Sequence, residues 1–127
     1  MSSQTPIIEC VPNFSEGRDL SVIQQITGAI EAVEGVQLLG LEPGRGANRT
    51  VVTFAGAPAA VVEAAFRGIR TAAERIDMRR HRGVHPRMGA TDVCPLVPVA
   101  HIDMAEVVRW AERLAQRVGE ELAIPVY

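Results

Sequence analysis

The sequence predicts an α+β domain, with helices covering one face of a largely antiparallel sheet. Two observations carry this expectation. Three segments repeat apolar residues at helical spacing, and each begins at a capping or helix-starting residue. Around them lie short apolar runs bounded by Pro, Gly and Asn, the signature of strands.

Ile7 to Val11 reads as the first strand, stopped by Pro12. Asn13 to Arg18 then reads as a loop. Asp19 is an N-cap for a first helix from Leu20 to about Glu34, with Val22, Ile23, Ile26, Ile30 and Val33 on its apolar face and Gly35 as terminator. Val36 to Leu41 is a second strand. Turn chemistry from Glu42 to Ala47 joins it to a third, Arg49 to Ala55, as a hairpin. Pro58 opens a second helix running to about Ile76, with Val62, Ala65, Phe66, Ile69, Ala73 and Ile76 inward. On its solvent side Glu63/Arg67 and Arg70/Glu74 stand at supportive spacing. Val93 to Val99 is apolar but carries Pro95 and Pro98, which confine it to a sheet edge or a bulge. Asp103 and Glu106 resemble a capping box for a third helix, Met104 to Leu122. Ile124 to Tyr127 reads as the start of a last strand. The order is βαββαβαβ, and its first six elements match the ferredoxin-like βαββαβ plan, with residues 1–127 as one domain.

Composition bounds the function. At 127 residues and 13.7 kDa, with 47% apolar residues, the chain can bury one core. Its apolar runs fall short of the roughly 20 residues of a membrane span. MSSQTPII lacks the basic stretch and apolar block of a signal peptide, so a cytoplasmic location is expected. A net charge of −2 argues against nucleic acid as a partner. All 13 basic residues are Arg; with no Lys, a lysine Schiff base and a Walker-type phosphate loop are excluded. Arg75, Arg79, Arg80, Arg82 and Arg87 cluster, which fits a small carboxylate ligand held by guanidinium forks. Cys10 and Cys94 match no zinc or redox spacing and read as reduced, buried residues.

The densest chemistry lies between His81 and Asp92. His81 and His85 have i,i+4 spacing, but Gly83 and the proline after His85 argue against the helix a metal pair would need, and no Cys or Glu stands nearby as a third ligand. A histidine working as acid and base near neutral pH fits better, the bland alternative being a structural hydrogen bond in a turn. His101, just before a helix cap, reads as a surface residue. Ser15 has no local base, and Gly44-Arg45-Gly46 sits in a hairpin rather than between strand and helix, so neither marks a nucleophile or a dinucleotide site.

Four strings resemble the N-terminal subdomain of glutamate formimidoyltransferase (formiminotransferase): Glu9 to Arg18 (ECVPNFSEGR), Asn48 to Phe54 (NRTVVTF), Ile76 to Met78 (IDM), and His85 to Pro95 (HPRMGATDVCP). The resemblance implies transfer of a formimino group from N-formimino-glutamate to N5 of tetrahydrofolate, in histidine breakdown, within a groove between two α/β subdomains. It places the general base on His85. The polar residues of these strings and the Arg cluster give the expected substrate contacts: Asn13, Ser15, Glu16, Asn48, Arg49, Arg82, Arg87 and Asp92. Tetrahydrofolate is then a co-substrate, and no metal is expected. Val84 stands where the family commonly has a charged residue, and Gly40 where an Asp is common. Another acid/base activity on a small molecule, or a non-catalytic folate-, carboxylate- or partner-binding module, is the alternative. The groove needs a second wall, so the expected partner is a C-terminal subdomain or, through an open edge at Ile124 to Tyr127, a second copy in a homodimer.

Overall fold

A computed structural model of the chain describes residues 4–78 and 89–127. Its centre is the hairpin of β3 (Val36–Gly44) and β4 (Arg49–Gly56), antiparallel and longer than the sequence indicates at the turn end. Along β4 the residues alternate: Thr50, Val52 and Phe54 are buried, while Arg49, Val51 and Thr53 face the other side. A register shift leaves Leu39 unpaired in β3 and half exposed.

The other edge of β4 meets a strand in two pieces. β1 (Ile7–Cys10) pairs with its C-terminal half, and β2 (Asn13–Phe14) with its N-terminal half. β2 lies where the sequence reads as loop. Pro12 causes the break, because it has no N–H to donate. Its carbonyl still accepts from Val52 N at 3.1 Å, so the interruption leaves that acceptor satisfied. The next strand is broken in the same place. β5 (Thr91–Val93) pairs with β2 and β6 (Leu96–Ala100) with β1, and across the gap Val11 N donates to Pro95 O at 3.1 Å. The run expected over Val93 to Val99 is therefore an edge strand interrupted at Cys94 and Pro95. With the halves joined, the order is β3, β4, β1/β2, β6/β5, all antiparallel, which is the ferredoxin-like sheet.

Among the described residues three helices cover one face: α1 (Leu20–Glu31) against β3, α2 (Pro58–Arg75) against β1 and β4, and α3 (Met104–Leu122) against β6. Asp19 caps α1 through Ser21 N at 3.0 Å, and Asp103 caps α3 through Glu106 N at 2.8 Å. Gly35 turns the chain out of the α1 region at φ +90°, a conformation that favours glycine. The core joins Ile8, Cys10, Phe14, Val52 and Phe54 of the sheet to Ile26, Ile30, Val61, Phe66 and Ile69 of the helices. Burying each large apolar side chain contributes about 1.5–3 kcal/mol. No helix among the described residues is long and apolar enough to cross a membrane.

One expected element does not form. Ile124 to Tyr127 follows an αL cap at Ala123 and pairs with no strand among the described residues. Tyr127 is fully exposed. An apolar run of four residues becomes a strand only where a sheet edge receives its backbone groups, and here the run passes α3 beside the helical layer instead. The open edge on which the homodimer expectation was built is therefore absent at this segment.

On the outer surface, Arg117 of α3 donates to Glu63 of α2 at 2.8 Å and lies 3.8 Å from the centre of the Phe66 ring, while Arg67 donates to the same carboxylate at 2.8 Å. The hydrogen bonds from Arg67 and Arg117 hold the Glu63 carboxyl below its ordinary value. A depressed folded-state pKa means that the gain is present above the unfolded value and disappears as pH falls through the folded one. About a third of the side chain is exposed, so solvent screening keeps the gain within about 0.2–1 kcal/mol. Glu63→Gln should cost that much at pH 7 and progressively less as the pH is lowered below the ordinary carboxylate range, as measured by urea unfolding across a pH series.

Candidate functional site

The site forms where the interrupted strands meet the N-terminal end of β4. Alternation in β4 gives consecutive residues opposite tasks. Arg49 points to the face opposite α1, α2 and α3 and donates from Nη2 to Asn13 Oδ1 of β2 at 3.0 Å. The same Nη2 lies 3.8 Å from Asp92 Oδ2 of β5. Asp92 reaches this position because the register shifts between Asn13 and Phe14, which makes it the extra residue of a bulge. Three residues distant in sequence are thus joined by two strand pairings. The Arg49 side chain remains 27% exposed, enough to present guanidinium N–H groups to a ligand.

Asn48 and Thr50 turn the other way and hold the segment from Ser15 to Asp19. Asn48, with φ 53°, takes the left-handed conformation that asparagine tolerates, and its Oδ1 accepts from Gly17 N at 2.9 Å. Thr50 Oγ1 donates to the Glu16 carbonyl. Glu16 itself is buried, and its carboxylate accepts from Arg18 N at 3.0 Å and Asp19 N at 2.9 Å. Arg18 completes the contact by donating from Nε to Arg45 O of the hairpin turn at 2.8 Å. Gly17 is required by space: a Cβ there would lie 2.2 Å from Gly44 O and 2.6 Å from Arg49 N.

Ser15 secures the far side. Its N–H donates to Ala90 O at 2.8 Å and its hydroxyl to Gly89 O at 2.6 Å. Gly89 and Ala90 lie within the dense segment from His81 to Asp92, so Ser15 ties the segment after β2 to the described part of that string.

Of the expected site residues, Asn13, Arg49 and Asp92 are brought together. Ser15, Glu16 and Asn48 lie beside them but are buried, and the partners described above are backbone groups. His85, Arg82 and Arg87 lie outside the described residues, as do His81, Arg79 and Arg80. His101 is exposed, at φ 55° between β6 and α3. Among the described residues no three of His, Cys, Asp and Glu gather as a metal-binding group. The sequence reading passed over Thr50, Gly17 and Arg18 as supports. Thr50 was legible in principle, since strand alternation places it on the buried side with Val52 and Phe54.

The fold is therefore a ferredoxin-like α+β scaffold that brings a guanidinium, an amide and a carboxylate together at one end of its sheet. The chain belongs to the formiminotransferase family: residues 7–127 match the formiminotransferase domain, N-terminal subdomain. It is 52% identical over 121 residues to the formimidoyltransferase-cyclodeaminase of Rattus norvegicus, covering 95% of this chain and 22% of that protein. It is 52% identical to the glutamate formimidoyltransferase of Thermoplasma acidophilum and 44% identical to that of Streptococcus pyogenes, each over 95% of this chain and 40% of the relative. The chain thus spans between about a fifth and two fifths of the length of these relatives.

Gly17→Ala should destabilise the domain by about 1–3 kcal/mol, because both clashing partners are backbone atoms that yield only if the hairpin shifts. Urea denaturation measures it, and Gly46→Ala, where no atom lies within 4 Å of the added methyl, is the control.

Proposed function

We propose that this chain supplies one wall of a formimidoyltransferase site, at which a formimino group passes from N-formimino-glutamate to N5 of tetrahydrofolate. The single observation that carries the reading is the Asn13–Arg49–Asp92 cluster, built from the strings that resemble the family and lying beside the anchored end of the His85 string.

The chemistry follows from the groups. The folate amine attacks the amidine carbon of the formimino group, and a C–N bond forms. The amine loses a proton and the glutamate nitrogen gains one as its C–N bond breaks. One histidine can accept the first proton and return the second, and His85 has this role in the reading. Both substrates carry carboxylates. Arg49 meets one of them, with Asn13 and Asp92 holding its Nη2 end so that little side-chain freedom is lost on binding. Arg82 and Arg87 supply further positive charge. Ser15, Glu16, Asn48 and Thr50 act as positioning residues, holding the loop backbone and the exit of the His85 string. The second wall of the groove is a further subdomain or another copy of this chain, seated on the open sheet face where Val97 and Val99 are exposed.

Formimino transfer measured with this chain, alone and with the C-terminal subdomain of a glutamate formimidoyltransferase, tests the reading. His85→Ala should lower the rate by about 10²–10⁴-fold while His101→Ala leaves it near the starting value. Equal losses would remove the acid/base role. Arg49→Ala should weaken binding of N-formimino-glutamate by about 1.5–3 kcal/mol in a calorimetric titration, the size of a hydrogen bond to a charged group.

A further inference from the structure

The two cysteines are 84 positions apart in sequence and adjacent in space. Cys10 closes β1, with no exposed surface. Cys94 occupies the break between β5 and β6 and is partly exposed. Their sulfurs are 3.5 Å apart and joined by a hydrogen bond. The backbone holds them there: Val11 N donates to Pro95 O, so the residue after one cysteine is tied to the residue after the other.

Their surroundings differ. The hydrogen bond with Cys94, and then burial, push the Cys10 thiol well above its ordinary value. Cys10 therefore keeps its proton near neutral pH. Cys94 borders a cleft between α2 and α3 whose walls include Ile69, Val108, Leu114 and Val118. It is the sulfur that a small oxidant reaches first, with a thiol already in contact behind it.

We propose that Cys10 and Cys94 form a reversible intramolecular disulfide, with hydrogen peroxide as the oxidant. The Cys94 thiolate attacks one peroxide oxygen; an S–O bond forms, the O–O bond breaks, and the departing hydroxide takes a proton to become water. The Cys10 sulfur then attacks the Cys94 sulfenic acid; an S–S bond forms, the S–O bond breaks, and the second hydroxide leaves as water with the Cys10 proton. Two thiols lose two electrons and the peroxide becomes two waters. A small dithiol reverses the change. The bond requires the sulfurs to close to about 2.05 Å, which draws the β5–β6 junction towards β1. That junction directly follows the strand carrying Asp92, so oxidation bears on the Asn13–Arg49–Asp92 cluster from beneath. The inference goes beyond the proposed activity and stands independently of it.

The test treats the 127-residue chain with hydrogen peroxide, blocks remaining thiols with an alkylating agent, and maps peptides by mass spectrometry. The expected result is a crosslinked pair containing Cys10 and Cys94, in a monomer lighter by two hydrogens, which disappears with dithiothreitol. Cys94→Ser should leave Cys10 fully open to alkylation after unfolding, and Cys10→Ser should let Cys94 proceed to the sulfinic acid. Three results in the unsubstituted chain would overturn the proposal. They are Cys94 sulfinic acid without the crosslink, a crosslink between two chains, and two thiols that still alkylate fully under peroxide that oxidises free cysteine.

Discussion

The hydrogen bond from Gly17 N to Asn48 Oδ1 is the contact on which the site depends. It joins the segment after β2 to the start of β4, and both neighbours of Asn48 extend its effect. Arg49, the first residue of β4, stays partly exposed while Asn48, the last residue of the turn, is buried, and Thr50 adds a second tie to the Glu16 carbonyl. A buried amide that lost this partner would leave a donor unsatisfied at a cost of about 1–3 kcal/mol. Gly17 permits the approach because any side chain would meet the hairpin backbone. The most polar part of the domain is thus as closely specified as its apolar core.

Two prolines, Pro12 and Pro95, shape the sheet around this contact. Each stands in the gap between two strand segments, and each keeps its carbonyl hydrogen-bonded, Pro12 to Val52 N and Pro95 to Val11 N. The breaks lie side by side, so the two strands bend together and remain paired. The shorter segments, β2 and β5, pair with each other and contribute Asn13 and Asp92, both on the same side of the bend. An uninterrupted β1 would continue the regular ladder with β4, and no bulge would bring Asp92 to Arg49. The same break places Cys94 against Cys10, so one irregularity underlies both the polar cluster and the thiol pair.

The helical layer is a more conventional solution. Its stripes meet the buried residues of β1 and β4, and the outer seam between α2 and α3 is closed by Arg117 on Phe66 and Glu63. The guanidinium offers a flat face to the ring and a fork to the carboxylate, which a lysine would not match. In a chain whose 13 basic residues are all Arg, this use accounts for part of the bias that a sequence reading assigns to ligand binding.

The sequence alone determined the helices, the hairpin and their order. Helical periodicity extends over many residues, and Asp19, Pro58 and Asp103 announce each start through local hydrogen bonds or fixed backbone angles. It also pointed to the strings around Asn13, Arg49 and Asp92, because unusual polar residues beside Pro and Gly stand out in a mostly apolar chain. It did not announce β2 and β5, since strands of two and three residues carry no readable alternation. It placed a strand at Ile124 to Tyr127 that does not form, because strand propensity is realised only when an edge accepts the pairing. Nor could it show that Asn48 and Arg49, one position apart, serve opposite faces, or that Cys10 touches Cys94. Those facts depend on register, and register is decided by long-range pairing between segments that no local property of the chain connects.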